Sequence, residues 1–144
     1  MATGVQVVFD CANPSKLATF WATVLGYMLE PPPPGFATWE EWAQQAGIPE
    51  EMWDGYAAVV DPDGVGPRLF FQRVPEPKTV KNRVHLDVNV GGGRGTPKEE
   101  RRSRVYAAAD RLTAAGATRL YEHDDMTGFA VTMTDPEGNE FCLQ

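Results

Sequence analysis

The segment DPEGNEFCLQ, Asp135 to Gln144, follows the same plan as DPDGVGPRLFFQ, Asp61 to Gln72: an acidic residue, Pro, an acidic residue and Gly precede an apolar run that ends in Gln. Pro fixes φ and Gly accepts positive φ, so each quartet reads as a tight turn from which a strand is re-entered. Two such turns before two final strands imply an internal duplication, which restricts the fold more than composition does.

The repeat extends backwards. Gly4 to Asp10 alternates Val5, Val7 and Phe9 with Gln6, Val8 and Asp10, and Asn82 to Val90 alternates Val84, Leu86 and Val88 with Arg83, His85 and Asp87. Both read as half-buried strands. After the first, Leu17, Phe20, Trp21, Val24 and Leu25 recur at helical spacing, with Asn13 as N-cap, Pro14 at the first helical position and Gly26 as the stop. After the second, Val105, Ala108, Ala109 and Leu112 repeat the stripe and Gly116 ends it. The chain therefore reads as α+β, two tandem βαβββ modules, with module one at 1–76 and module two at 80–144. The halves differ in two loops: a Gly-rich one from Gly91 to Pro97, and an insertion at about 31–55 that opens with Pro31 to Pro34.

The 144 residues, 42% of them hydrophobic, suffice for one compact core. A net charge of -7 argues against a nucleic-acid partner, because phosphate binding needs a clustered positive field. The basic residues Lys98, Arg101, Arg102 and Arg104 are interleaved with Glu99 and Glu100 and read as solvated helix turns. No apolar run has the length of a membrane span and the first residues do not resemble a signal peptide, so a cytoplasmic location without membrane association is expected. The two cysteines, Cys11 and Cys142, read as buried free thiols.

Paired modules of this kind resemble the vicinal oxygen chelate superfamily, which includes glyoxalase I, extradiol dioxygenases, and fosfomycin and bleomycin resistance proteins. Three stretches carry the likeness: Leu17 to Gly26 with its Phe20–Trp21 pair, the terminal turn and strand from Asp135 to Phe141, and Lys81 to Asp87, which is similar to a segment of the actinobacterial glyoxalase-like subgroup. The resemblance implies a curved mixed sheet around a cleft. It also implies a cleft complete in one chain or formed by module exchange, with a homodimer expected. In metal-using relatives each module gives one ligand from its first strand and one from its last. Carried over, those positions are Gln6 and Phe70 in module one and Arg83 and Cys142 in module two. Such a set does not suit a divalent ion, so neither a metal nor another cofactor is expected.

If Gln6 and Arg83 face the cleft, strand parity brings Asp10, His85 and Asp87 with them, together with Arg68, Phe70, Gln72, Glu140, Cys142 and Gln144. Val5, Val7, Phe9, Val84, Leu86 and Val88 then pack under the helices, as do Leu69, Phe71, Phe141 and Leu143. An arginine fork suits a carboxylate or phosphate, and a histidine beside a carboxylate suits proton transfer. Plainer roles fit the same residues: Arg83 pairing with Asp10 or Glu140, His85 as a satisfied structural residue, His123 with Glu122, Asp124 and Asp125 as a solvated turn. In the insertion, Thr38 and Glu41 form a capping box before Trp39, Trp42, Ala43 and Ala46. The resulting helix, with Trp39, Trp42 and Trp53, reads equally as a lid on the cleft or a cover for a sheet edge, with a subunit interface as a third reading.

Two functions fit these residues. One is a metal-independent protein that binds a small organic ligand, anionic or aromatic, through Gln6, Asp10, Trp39, Trp42, Trp53, Phe70, Gln72, Arg83 and Cys142. The other is a glyoxalase-like lyase or isomerase in which His85, Asp87 and Glu140 move protons.

Overall fold

The computed structural model describes residues 1–144 and divides into two compact units, Met1–Pro77 and Lys78–Gln144. The first unit contains β1 (Val7–Cys11), α1 (Pro14–Leu25), β2 (Met28–Leu29), α2 (Trp39–Gln45), a 3-10 turn (Glu50–Met52), β3 (Tyr56–Val60) and β4 (Leu69–Arg73). The second contains β5 (Asp87–Val88), α3 (Lys98–Ala114), β6 (Thr118–Asp125), β7 (Gly128–Thr134) and β8 (Glu140–Leu143). Each unit forms its own four-stranded mixed sheet, in the orders β1-β4-β3-β2 and β5-β8-β7-β6. In both, the first strand runs parallel to the last and the remaining neighbours are antiparallel. One sheet plan is thus built twice.

The duplicated turns close in the same way. The Asp61 carboxylate accepts the N–H groups of Asp63, Val65 and Gly66 at 2.9, 3.1 and 2.7 Å. The buried Asp135 carboxylate accepts those of Glu137 and Asn139 at 2.9 and 3.0 Å, and the Asn139 side chain besides. Gly64 and Gly138 take φ of 68° and 86°, which L side chains resist. Helix α1 begins where the Asn13 side chain accepts the Lys16 N–H at 3.1 Å and ends at left-handed Gly26.

Each helix lays its apolar stripe on its own sheet. Leu17, Trp21, Val59, Leu69 and Phe71 are fully buried in unit one, and Phe9 lies 5.0 Å from Trp21 and 5.2 Å from Phe71, ring to ring. In unit two Val105, Ala109 and Leu112 bury against the side occupied by Val131, Met133, Phe141 and Leu143. Burying a side chain of this size stabilises the fold by about 1.5–3 kcal/mol. Neither Cys11 nor Cys142 is in a disulfide and both are buried, and no helix is long and apolar enough to cross a membrane.

The alternation fails at the outer ends of the two first strands. Val5 and Val84 are 77% and 83% exposed instead of packing under a helix. Only Asp87 and Val88 of the expected Asn82–Val90 strand are extended in the sheet. The Asn82 N–H donates at 3.0 Å to the side-chain carboxylate of Glu140 on the neighbouring β8, not to a backbone carbonyl of the ladder.

Candidate functional site

In module one, β1 and β4 pair Val8 with Phe70 and Asp10 with Gln72, placing all four on the sheet face opposite α1. Gln72 Nε2 donates to Asp10 Oδ1 at 2.7 Å. Arg68 grips Glu30 through two bonds of 2.9 and 2.6 Å and donates to Gln6 Oε1 at 3.0 Å. The Arg68 guanidinium also sits 5.1 Å from the Phe70 ring, and Tyr56 stacks on that ring at 5.7 Å and 13°. Asp10 therefore meets Gln72, while Arg68 gathers Gln6 and Phe70 with Glu30 and Tyr56, two residues the sequence reading did not single out.

The insertion forms the expected capped helix. Thr38 Oγ1 accepts the Glu41 N–H at 3.1 Å, while the Glu41 carboxylate accepts the Ala37 N–H at 2.9 Å. Trp39 and Trp42 meet edge to face at 5.5 Å. Trp39 Nε1–H donates to the Glu30 carbonyl, just past the sheet-edge strand β2, and Trp53 Nε1–H donates to the Ile48 carbonyl, both at 2.8 Å. Those two indole N–H groups are committed inside the fold, so what Trp39 and Trp53 can offer a ligand is ring surface.

In module two, Asp87 pairs with Cys142. This corrects the carried-over register. Phe70 and Cys142 are equivalent last-strand positions, and their partners are Val8 and Asp87. The residue two before Val8 is Gln6, and the residue two before Asp87 is His85. His85, not Arg83, is therefore the counterpart of Gln6. Arg83 lies in an exposed bend further out, and Glu140 takes Lys78 (3.2 Å) and the Asn82 N–H as partners instead of Arg83. Partial burial raises the Glu140 pKa, but the Asn82 N–H, its own backbone N–H and the Lys78 ammonium outweigh it and hold the carboxyl below its ordinary value.

His85 Nε2 lies 3.2 Å from Asp87 Oδ1, and Cys142 Sγ shares a 3.4 Å hydrogen bond with Thr132 Oγ1, its neighbour on β7. The donor atoms of His85, Asp87 and Cys142 all fall within 4.8 Å of one another. They open on a cavity of about 240 Å³ that Lys81, His123 and Thr132 also line. Both histidines of the chain thus face one cavity.

His123 is a correction, since it belongs to β6 and pairs with Ala130 rather than sitting in a solvated turn. Its acidic neighbours turn to other partners: Asp124 to Arg102 and Lys98, Glu122 to the Tyr106 hydroxyl, Asp125 to Thr127. Alternation from Tyr121 to His123, whose rings meet at 5.5 Å, was the signal that could have revealed this.

The metal set implied by the superfamily resemblance does not fit module one, where Phe70 has no donor atom and Gln6 Oε1 is held by Arg68. Module two differs, because His85, Asp87 and Cys142 supply nitrogen, oxygen and sulfur donors together.

Two βαβββ modules, each closing its sheet with a parallel first and last strand, define a protein of the vicinal oxygen chelate fold. The chain belongs to the glyoxalase-like domain family, whose model matches residues 6–144. Solved structures share the fold. Fosfomycin resistance protein FosX from Listeria monocytogenes, solved with Mn(II) and 1S,2S-dihydroxypropylphosphonic acid, aligns with a TM-score of 0.62 at 12% identity, covering 100% of this chain and 90% of that one. A glyoxalase/bleomycin resistance protein/dioxygenase family enzyme from Burkholderia phytofirmans gives 0.59 at 14%, covering 96% and 94%. TioX from Micromonospora gives 0.51 at 20%, covering 98% and 94%. No curated protein matches the chain.

Proposed function

We propose that the protein binds a small organic molecule in the module-two cavity, with His85 and Asp87 as its polar anchors and Cys142 and Thr132 on its floor. The observation that carries this reading is the convergence of both histidines, Asp87, Thr132 and Cys142 on one cavity of about 240 Å³. A concave site with a few convergent polar groups is what small-molecule recognition requires. Its size suits a compact ligand, and the Lys81 ammonium with the two imidazoles suits one carrying an anionic or strongly accepting group.

A lyase or isomerase is the second reading, favoured by the 3.2 Å contact between His85 Nε2 and the Asp87 carboxylate. A carboxylate in that position orients an imidazole for proton transfer. Glu140 is a poor third member, because its carboxylate is engaged by Lys78 and Asn82 and held toward the ionised form.

Calorimetric titration with a panel of antibiotics and anionic metabolites tests the binding reading. A ligand should bind the wild-type protein and lose on the order of 10-fold or more in affinity on His85→Ala, as loss of a charge-assisted contact implies. A ligand whose affinity is unchanged by both His85→Ala and Thr132→Val would overturn it. Turnover of methylglyoxal with glutathione, lost in His85→Asn, would establish the enzymatic reading instead.

A further inference from the structure

We propose that the Cys142 thiol is a nucleophile that captures a compact α,β-unsaturated carbonyl compound covalently in the module-two cavity, with His85 taking the thiol proton. The inference rests on the reading of this cavity as the ligand site and names the chemical class of its ligand.

The sheet places the groups. Cys142 pairs directly with Asp87 on β5 and with Thr132 on β7, so these three side chains stand on one face, opposite the buried Val131, Met133, Phe141 and Leu143. The His85 imidazole closes on the same spot, 3.2 Å from Asp87 Oδ1, and the reactive atoms of His85, Asp87 and Cys142 lie within 4.8 Å of one another. A nucleophile, a base beside it and a carboxylate that orients the base form the arrangement that activates a thiol. Contacts of this kind tighten when a substrate is bound. Here the side chain that moves is His85, 41% exposed, because Cys142 is held in β8.

A cysteine kept only for packing behaves as a small hydrophobe among apolar neighbours and is inert. Cys142 is 9% exposed, yet its surroundings are Asp87, the Thr132 hydroxyl at 3.4 Å and a cavity that His85, His123 and Lys81 also line. The Thr132 hydroxyl is placed to donate to the sulfur as negative charge builds there.

The other walls select the electrophile. Addition to a conjugated C=C bond builds negative charge on the carbonyl oxygen, and fixed N–H donors stabilise that charge where it develops. Lys81 and His123 bring such donors to the cavity. In the step, the S–H proton passes to the His85 imidazole, an S–C bond forms at the β-carbon, and the π pair of the C=C bond shifts to give the enolate. The imidazolium then returns the proton to the α-carbon and the carbonyl re-forms. The net change is addition of S–H across C=C, with no oxidant, reductant or third reactant.

The test treats the full chain with β-acetylacrylate, an anionic enone, and follows the intact mass and the position of the adduct. One adduct should form rapidly per chain, at Cys142. Cys11 is the internal control: it is buried too, donates to the Gln72 carbonyl at 3.5 Å, and has no histidine in its own module. Cys142 should react on the order of 100-fold faster than Cys11, and His85→Ala should slow it by a similar factor, the scale of a general base. Asp87→Asn should slow it as well, and Cys142→Ser should remove the fast adduct. Lys81→Met should slow the anionic enone more than neutral methyl vinyl ketone. Far-ultraviolet dichroism identifies any variant that fails to fold, and the contrast between Cys142 and Cys11 in the wild-type protein remains decisive in that event. Cys142 reacting no faster than Cys11, or a rate indifferent to both His85→Ala and Asp87→Asn, would overturn the inference. A ligand bound reversibly by a protein whose Cys142 takes no adduct would reject capture and leave the cavity reading intact. A fast, His85-dependent adduct whose rate never saturates with enone concentration would do the reverse, leaving a reactive thiol with no ligand site before it.

Discussion

His85 Nε2 stands 3.2 Å from Asp87 Oδ1, and Asp87 is in register with Cys142 across the parallel β5–β8 pair. The sheet sets the carboxylate beside the thiol, and the histidine, just before β5, reaches the same carboxylate through its imidazole. In module one the equivalent positions hold Gln6, Val8 and Phe70. The duplication has kept the scaffold in both halves and the reactive side chains in one.

The Asp135 turn is a buried structural device. Its carboxylate satisfies two backbone N–H groups and the Asn139 amide, so Asp135→Ala should destabilise the protein by about 1.5–3 kcal/mol, the range for hydrogen bonds to a charged acceptor. Asp61→Ala, at the solvent-facing copy of the same turn, should cost less. Chemical denaturation of both variants checks this; equal losses would contradict it.

Phe141 is fully buried beneath α3 in module two. Phe141→Ala should cost about 3–5 kcal/mol through lost burial and the cavity left behind. Val84→Ala, at an exposed site, should be nearly neutral, and a large loss there would return that residue to the core.

Glu140 gives the protein an acid-sensitive clasp. Its carboxyl is held below the ordinary value in the fold, so its contribution is present above the unfolded-state pKa and disappears as pH falls through the lower folded-state value. Glu140→Gln keeps an acceptor for the Asn82 N–H but removes the charge facing Lys78. Urea unfolding across the acid range should show a shallower loss of stability in this variant than in the wild type. Parallel profiles would remove Glu140 from the acid response.

Much of this fold was legible because its signals are local. The acidic turns, the Asn13 cap and the Gly26 stop act within a few residues, and Leu69, Phe71, Phe141 and Leu143 obey simple alternation. The errors came from distant partners. Glu140 captures the Asn82 N–H from 58 residues away, and the pairing of Asp87 with Cys142 puts the first-strand position at His85 instead of Arg83. His123 was hidden for a related reason: its acidic neighbours look like a solvated turn until β7 pairs with β6 and sorts them onto opposite faces.

The central claim is that the module-two cavity is the ligand site, and nitrogen NMR of the imidazoles tests it most directly. The chain has only two histidines, His85 and His123, and both line that cavity, so the imidazole spectrum reports on it alone. A small molecule shown by calorimetry to bind should shift the His85 resonances, with His123 responding as a second wall of the same cavity. A ligand that binds stoichiometrically and leaves both imidazoles unmoved would contradict the account.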